Sequence, residues 1–359
     1  MTVSFFIPEF EVGGIQRVFI NLSRMLVKRG YDVNFIVCRK KGALLNELER
    51  NINVYSLGKN KRLRNSFMPL MKVLKAQRPD YVITGSDVHN KFVILANLLA
   101  GKPTRVIATH HNYFDEDIKG KTFYPFVYFN LMRILYPLAH KVVVVSDGLK
   151  KYLNERCRLN NLVRIYNPFD VDEISEKSQV SNIKLKVLPD KYFLFAGRLS
   201  SVKNVSLLIR AFDAFCKKNE NYKLVIAGSG GERDMLEQYG KINNIADSLI
   251  FLGDVSHCYY LIKHAKLVLS TSFSEALPSI VIESLMLGKT VVSTPNNGAK
   301  EVLKNGDLGY LSESFVDSDS FAQLIELAIK KPIDSAKLQE RANEFNFEKI
   351  AGEYIRVLN

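Results

Sequence analysis

The strongest constraint on the fold is a repeated alternation of short apolar strand-like runs with helix-period segments. Val3–Ile7 reads as a strand, Gly14–Lys28 puts Ile15, Val18, Phe19, Leu22 and Leu26 on one helical face, and Val33–Val37 reads as the next strand. Tyr81–Thr84, Val106–Thr109 and Val142–Val145 continue the series, each followed by a helical segment. Runs this uniformly apolar are buried on both faces, and strands separated by helices run parallel. The pattern therefore predicts βαβ units around a covered parallel sheet.

The rhythm breaks between Asn167 and about Leu188, where an Asn-Pro step leads into a polar Ser/Lys/Gln stretch without a clear strand. A second series then starts at Tyr192–Ala196 and runs through Leu224–Ala227, Leu249–Leu252, Leu267–Ser270 and Val291–Ser293. The chain of 359 residues suits two domains at ~150 residues each. The expected architecture is α/β: two Rossmann-like doubly wound domains, residues 1–167 and 189–342, joined by a linker over 168–188. Ligands in such sheets sit beyond the carboxyl ends of the strands, so two facing domains would form a binding cleft.

Composition narrows the class. Hydrophobic residues make up 47% and charged residues 24%, as in a water-soluble globular chain. The most apolar stretch, Phe123–Leu138, is interrupted by Asn130, Arg133 and Pro137 and falls short of the ~18 apolar residues a spanning helix needs. Glu9 and Glu11 follow the first apolar residues with no basic region before them, unlike a secretory signal, so a cytoplasmic location is expected. The cysteines, Cys38, Cys157, Cys216 and Cys258, have neither the paired spacing of a zinc site nor that of a disulfide framework, and no metal site is expected. The net charge of +13 is lopsided: residues 1–180 hold 28 Lys and Arg against 16 Asp and Glu, and the rest hold 22 against 21. A basic half suits an anionic partner such as phosphate, nucleic acid or an anionic membrane.

Three places carry candidate chemistry. Gly13 and Gly14 stand between the first strand and helix, where close-approaching amides and a helix amino end attract anions, or where the chain simply needs a tight turn. After Tyr192–Ala196 come Gly197, Arg198 and Leu199, then Lys203; an Arg and a Lys five apart at the mouth of a parallel sheet can converge on one diphosphate. The densest segment, Ser270–Gly288, sets Glu275 in the loop after a strand, Pro278 in the first helical turn and Glu283 inside the helix among Ile280, Val281, Ile282 and Leu285. A carboxylate among so many apolar neighbours needs a partner, and vicinal ribose hydroxyls are one.

Gly13-Gly14-x-x-Arg17, the G-R-L-x-x-x-K segment Gly197–Lys203 and the Glu275-x7-Glu283 pair resemble the retaining glycosyltransferases of the GT-B fold, family 4. Tyr166-Asn167-Pro168, the turn Gly228–Gly230, Phe251-Leu252-Gly253 and Asn297–Val302 extend the resemblance over nearly the whole chain. The resemblance implies a nucleotide-sugar, by family weight a UDP-sugar, bound mainly by the second domain. Carried over by position, Arg198 and Lys203 would neutralise the diphosphate, Glu283 would hold the ribose, and Glu275 would contact the donor sugar. The amides of Ala276, Leu277 and Ser279 would touch sugar and phosphates, Gly228 and Val255 would border the base, and Gly13 and Gly14 would close over the phosphate. His111 matches the family's cleft histidine near the acceptor, with His110 adjacent. The resemblance further implies retention of configuration without a protein nucleophile, no cofactor, and a closing helix over 343–359 that crosses back to the first domain.

Ala276 and Leu277 stand where the family loop often has Gly and Phe, and Asn297-Gly298-Ala299 lacks a frequent proline; both bear on donor-sugar identity. The basic cluster Lys59–Arg64, the amphipathic Phe67–Leu74 segment and the Phe123–Leu138 stretch suit a peripheral enzyme on the inner face of a membrane, meeting a lipid diphosphate-linked glycan in surface polysaccharide assembly. The alternative for Phe123–Leu138 is an ordinary buried helix. Other readings are a transferase with a soluble acceptor, a nucleotide-sugar epimerase, and a nucleic-acid binder; the last lacks any recognised module, and no nucleic-acid partner is expected.

Overall fold

All pairings between named strands are parallel. The computed structural model describes residues 1–11, 13–58, 62–113, 124–181, 188–219 and 221–359. The chain divides into two compact units, Met1–Phe169 with Phe347–Asn359, and Asp170–Asn346.

The first unit holds strands β1 Thr2–Ile7, β2 Asp32–Val37, β3 Asn53–Ser56, β4 Tyr81–Gly85, β5 Arg105–His110, β6 Lys141–Val144 and β7 Leu162–Arg164, in the order β3-β2-β1-β4-β5-β6-β7. Its helices are α1 Gly14–Lys28, α2 Phe67–Gln77, α3 Asp87–Leu99, α4 Tyr124–Leu135 and α5 Asp147–Cys157. Helix α1 buries Val18, Phe19, Leu22 and Leu26 of the expected stripe together with Met25, while Ile15 is only half-buried, and Phe19 and Phe35 each pack 5.2 Å from Phe5 at the sheet centre. Full burial of each such ring contributes about 1.5–3 kcal/mol, which anchors helix to sheet. The C-terminal helix Phe347–Leu358 also belongs to this unit: it buries Ile350, Ala351, Tyr354 and Leu358, Glu348 pairs with Arg29, and Glu353 lies 3.7 Å from Arg164. The Phe347 amide donates to the Phe169 carbonyl at 3.0 Å.

The second unit holds β8 Tyr192–Ala196, β9 Lys223–Ala227, β10 Leu249–Gly253, β11 Leu267–Ser270, β12 Val291–Ser293 and β13 Tyr310–Leu311, in the order β10-β9-β8-β11-β12-β13. Its helices are α6 Val171–Lys177, α7 Val205–Cys216, α8 Arg233–Ile242, α9 Tyr259–His264, α10 Ser279–Met286, α11 Asn297–Val302, α12 Ser318–Lys330 and α13 Ser335–Ala342. Phe193, Phe195, Phe212 and Phe215 join Phe321 and Ile325 of α12 in one buried cluster over the sheet. Helix α6 falls within the stretch read as linker and packs on α9 and α10, while 182–187 lie outside the described residues.

Two parallel sheets with flanking helices are the expected α/β class, and strand order reverses once in each, between β1 and β4 and between β8 and β11. At such a switch point the loops from neighbouring strands diverge and leave a crevice at the carboxyl edge. β3, β7 and β13 carried no signal in the sequence; all three lie at sheet edges and none of their residues is fully buried. The alternative that Phe123–Leu138 is simply a buried helix is corrected: in α4, Phe126 is 76% and Ile134 66% exposed. Phe123 itself, like Lys59 and Lys61 of the basic cluster, lies outside the described residues. No helix among the described residues is long and apolar enough to cross a membrane.

Candidate active site

In the second unit the predicted charges converge on the switch point. Arg198 is exposed just beyond β8, and Lys203 ends the short helical turn Ser201–Lys203 ahead of α7. Glu275 follows β11. The Lys203 ammonium donates to Glu275 Oε1, which also accepts from Ser272 Oγ at 2.8 Å. Backbone bonds fix this meeting: Phe273 N–H donates to the Val202 carbonyl at 2.8 Å, Thr271 Oγ1 to the Lys203 carbonyl at 3.0 Å, and Thr294 Oγ1 to the Ser272 carbonyl at 2.6 Å. The loop after β11 is thus sewn to the loop after β8, so the ion pair stands on a rigid base.

Helix α10 starts one residue later than expected, with Pro278 as its N-cap rather than inside the first turn. Among the described residues no acceptor meets the backbone amides of Ala276, Leu277 and Ser279, leaving donors and the positive helix end open beside Lys203. Gly298 brings α11 against this loop: its amide donates to the Glu275 carbonyl at 3.0 Å, and a Cβ there would sit 2.6 Å from that oxygen. Only a glycine permits so close an approach.

Glu283, on α10, is half-buried and has no hydrogen-bonding or charged partner among the described residues; burial lifts its pKa to about 8. Burial, and then the Glu283 charge, hold the Cys258 thiol up at about 12. The carboxylate that the sequence marked as needing a partner therefore has none among the described residues. Gly228 follows β9 at φ +137°, donates its amide to the Gly253 carbonyl at 2.7 Å, and would drive a Cβ to 2.0 Å from the Gly197 carbonyl. Val255 follows β10 and is half-buried.

In the first unit Gly13 caps α1 in an extended conformation and Gly14 is its first residue, while Arg17 pairs with Glu47 at 2.6 Å. His110 is buried at the end of β5 with Nδ1 3.3 Å from the Tyr136 hydroxyl, and burial lowers its pKa to about 4. His111 lies past the strand end, half-buried, with Nε2 2.8 Å from Thr109 Oγ1; burial, and then His110, lower its pKa to about 3. Both line one cavity with Ile15 of α1, and His111 is the more exposed. Asp87 and Lys91 of α3, which the sequence did not single out, pair at 2.7 Å at this cavity, the Lys91 ammonium lies 3.5 Å from the Tyr128 ring centre, and Tyr136 donates to Asp87 at 3.0 Å. Ser272 and Cys258 are likewise new. An Asp-x-x-x-Lys spacing on a helix is the only signal that could have marked the α3 pair.

Two parallel sheets, each with polar groups gathered at its switch point, define a two-unit α/β enzyme. The chain belongs to the glycosyltransferases: residues 12–173 match Glycosyltransferase Family 4 and residues 176–345 match Glycosyl transferases group 1. It is 29% identical to the GalNAc-alpha-(1->4)-GalNAc-alpha-(1->3)-diNAcBac-PP-undecaprenol alpha-1,4-N-acetyl-D-galactosaminyltransferase of Campylobacter jejuni, over 100% of this chain and 98% of that one. It is 26% identical to N-acetyl-alpha-D-glucosaminyl L-malate synthase of Bacillus anthracis, over 96% and 93%. Its fold is similar to that of Anabaena HepE in a crystal structure with UDP-glucose, with a TM-score of 0.81 and 20% identity over 100% of this chain and 99% of that one.

Proposed function

We propose that this glycosyltransferase moves a sugar from a nucleotide-sugar, UDP-linked by preference, to a lipid diphosphate-linked glycan, with retention of anomeric configuration, in surface polysaccharide assembly at the inner face of a membrane. The observation that carries the reading is the β8–β11 switch point, where Arg198, Lys203 and the unpaired amides of Ala276, Leu277 and Ser279 offer positive charge and donors together. A diphosphate leaving group needs such a site, since breaking the anomeric bond concentrates charge on it and preorganised donors lower that barrier most.

In this reading Glu283 accepts both ribose hydroxyls, which explains a carboxylate with no partner among the described residues. Gly228 and Val255 border the base, Glu275 contacts the donor sugar, and Gly13 and Gly14 add donors to the phosphate. The bond from the anomeric carbon to the diphosphate oxygen breaks, the acceptor oxygen bonds to the same face, and the acceptor's proton passes to the departing phosphate oxygen. His111, neutral by virtue of its lowered pKa, orients the acceptor by hydrogen bonding. The nucleotide-sugar is a substrate and the scheme calls on no cofactor.

The lipid-linked acceptor draws support from the Campylobacter relative, whose name gives an undecaprenol-linked substrate. A soluble acceptor is the second reading, favoured by the malate synthase relative. The deciding experiment is thermal stabilisation of wild type and Glu283→Ala by a panel of nucleoside diphosphates and nucleotide-sugars. Stabilisation by one base class, lost in the variant, is expected; no stabilisation of a folded wild type by any of them would sink the donor assignment.

A further inference from the structure

A cavity of about 620 Å³ in the first unit has polar groups at its strand-end side and hydrocarbon along its helices. The polar groups are Asp87 and Lys91, in the first two turns of α3 after β4, and His111 just past β5. Its walls are Phe67 of α2, Phe92 and Leu95 of α3, and Leu131 and Leu135 of α4. Leu95 lies about 12 Å of helix beyond Asp87, so the apolar part runs away from the strand ends between α3 and α4.

Exposed apolar side chains are concentrated on the helices that wall this cavity. Of the sixteen exposed large apolar side chains among the described residues, nine lie between Met68 and Leu138, on or just after α2, α3 and α4, including Val88 at 62%, Phe126 at 76% and Ile134 at 66%. A face of this kind is uncommon on a soluble chain unless something covers it. Charge selects the cover: between Glu49 and Asp80, the segment that contains α2, the sequence carries eight Lys or Arg and no Asp or Glu. A second copy of this chain, with its own net charge of +13, would be repelled, whereas a ligand that joins a hydrocarbon chain to phosphate is attracted by both features.

We propose, resting on the lipid-linked acceptor reading, that this cavity holds the hydrocarbon chain of the acceptor next to its diphosphate. The enzyme then reads the lipid as well as the glycan. The polar end, with Asp87, Lys91 and His111, lies where the chain gives way to the diphosphate and first sugar, and the Leu95–Leu131 wall takes the chain itself.

Calorimetry with farnesyl diphosphate and with inorganic diphosphate tests this, with UDP present to occupy the donor site. Wild type is expected to bind the farnesyl compound at least about tenfold more tightly than inorganic diphosphate, and the Leu95→Gln/Leu131→Gln variant to lose that preference. Both leucines are partly exposed, at 37% and 42%, so the fold should tolerate the change, and an unchanged thermal shift with UDP verifies it. Equal affinity for the two probes, or a preference the variant retains, overturns the proposal. So does sedimentation of wild type as a dimer that the variant splits, which would give the face to a second copy. Wild type that binds UDP without preferring the farnesyl probe fails this proposal alone; wild type that prefers the farnesyl probe but ignores UDP supports the cavity and fails the donor reading.

Discussion

Lys203 and Glu275, 72 residues apart in the chain, meet in an ion pair at the carboxyl edge of the second sheet, and Ser272 donates to the same carboxylate oxygen. In this arrangement the ammonium is already held by a carboxylate, so a phosphate bound as proposed would compete with Glu275 for it. Replacing Glu275 with Gln removes that competitor and one negative charge. UDP binding should tighten a few-fold while sugar transfer falls by about 10²–10³. Calorimetry with UDP and initial rates separate the two, and parallel loss of both would reduce Glu275 to a scaffold residue.

Glu283 gives a pH signature. Its carboxyl keeps its proton up to about pH 8 in the folded chain, against an ordinary value of 4.5. Between those values the folded state binds a proton that the unfolded state has lost, so this group's contribution to stability is complete below the lower value and fades as pH rises through the upper one. The melting temperature of wild type should therefore decline across this window relative to Glu283→Gln. If ribose hydroxyls donate to the ionised carboxylate, UDP affinity should also rise with pH up to about 8 in wild type and stay level in the variant. Matching melting profiles for the two proteins would remove the buried-carboxylate account.

Gly298 and Gly14 make a controlled pair. A methyl group at Gly298 would lie 2.6 Å from the Glu275 carbonyl and 2.7 Å from Pro278 Cδ, whereas one at Gly14 meets nothing within 4 Å. Gly298→Ala should destabilise the chain by about 1–3 kcal/mol and depress transfer by displacing Glu275. Gly14→Ala should be neutral or stabilising by up to about 1 kcal/mol. Urea midpoints measured at constant slope test both.

His111 should be silent in the pH-rate profile. With its pKa lowered to about 3, the imidazole is neutral at any pH where the enzyme is assayed, so no inflection near the ordinary histidine value should come from it. His111→Ala should lower transfer while leaving UDP affinity unchanged, and a wild-type inflection near pH 6.5 that vanishes in this variant would contradict the neutral role.

Most of the sheet was legible because central strands are covered on both faces and must be apolar throughout. β3, β7 and β13 have four, three and two residues and sit at edges, where no continuous apolar run is required and pairing alone defines the strand. Spacing placed Glu275 in a loop and Glu283 within a helix, and both positions are found so. The partners were not legible: Lys203 reaches Glu275 only because two distant loops leave adjacent strands, and Asp87 faces Tyr136 across separate helical segments. The exposure of α4 was illegible for the same reason, since helix periodicity records an apolar surface and not what covers it.

The second unit is, in topological terms, an insertion between Phe169 and Phe347 of the first, whose interior is completed by the C-terminal helix. A chain emerging from the ribosome can finish the second unit while the first still lacks the helix carrying Ile350, Tyr354 and Leu358. Synthesis order and assembly order are thus reversed, and a late frameshift or proteolytic nick damages the unit whose sequence began first.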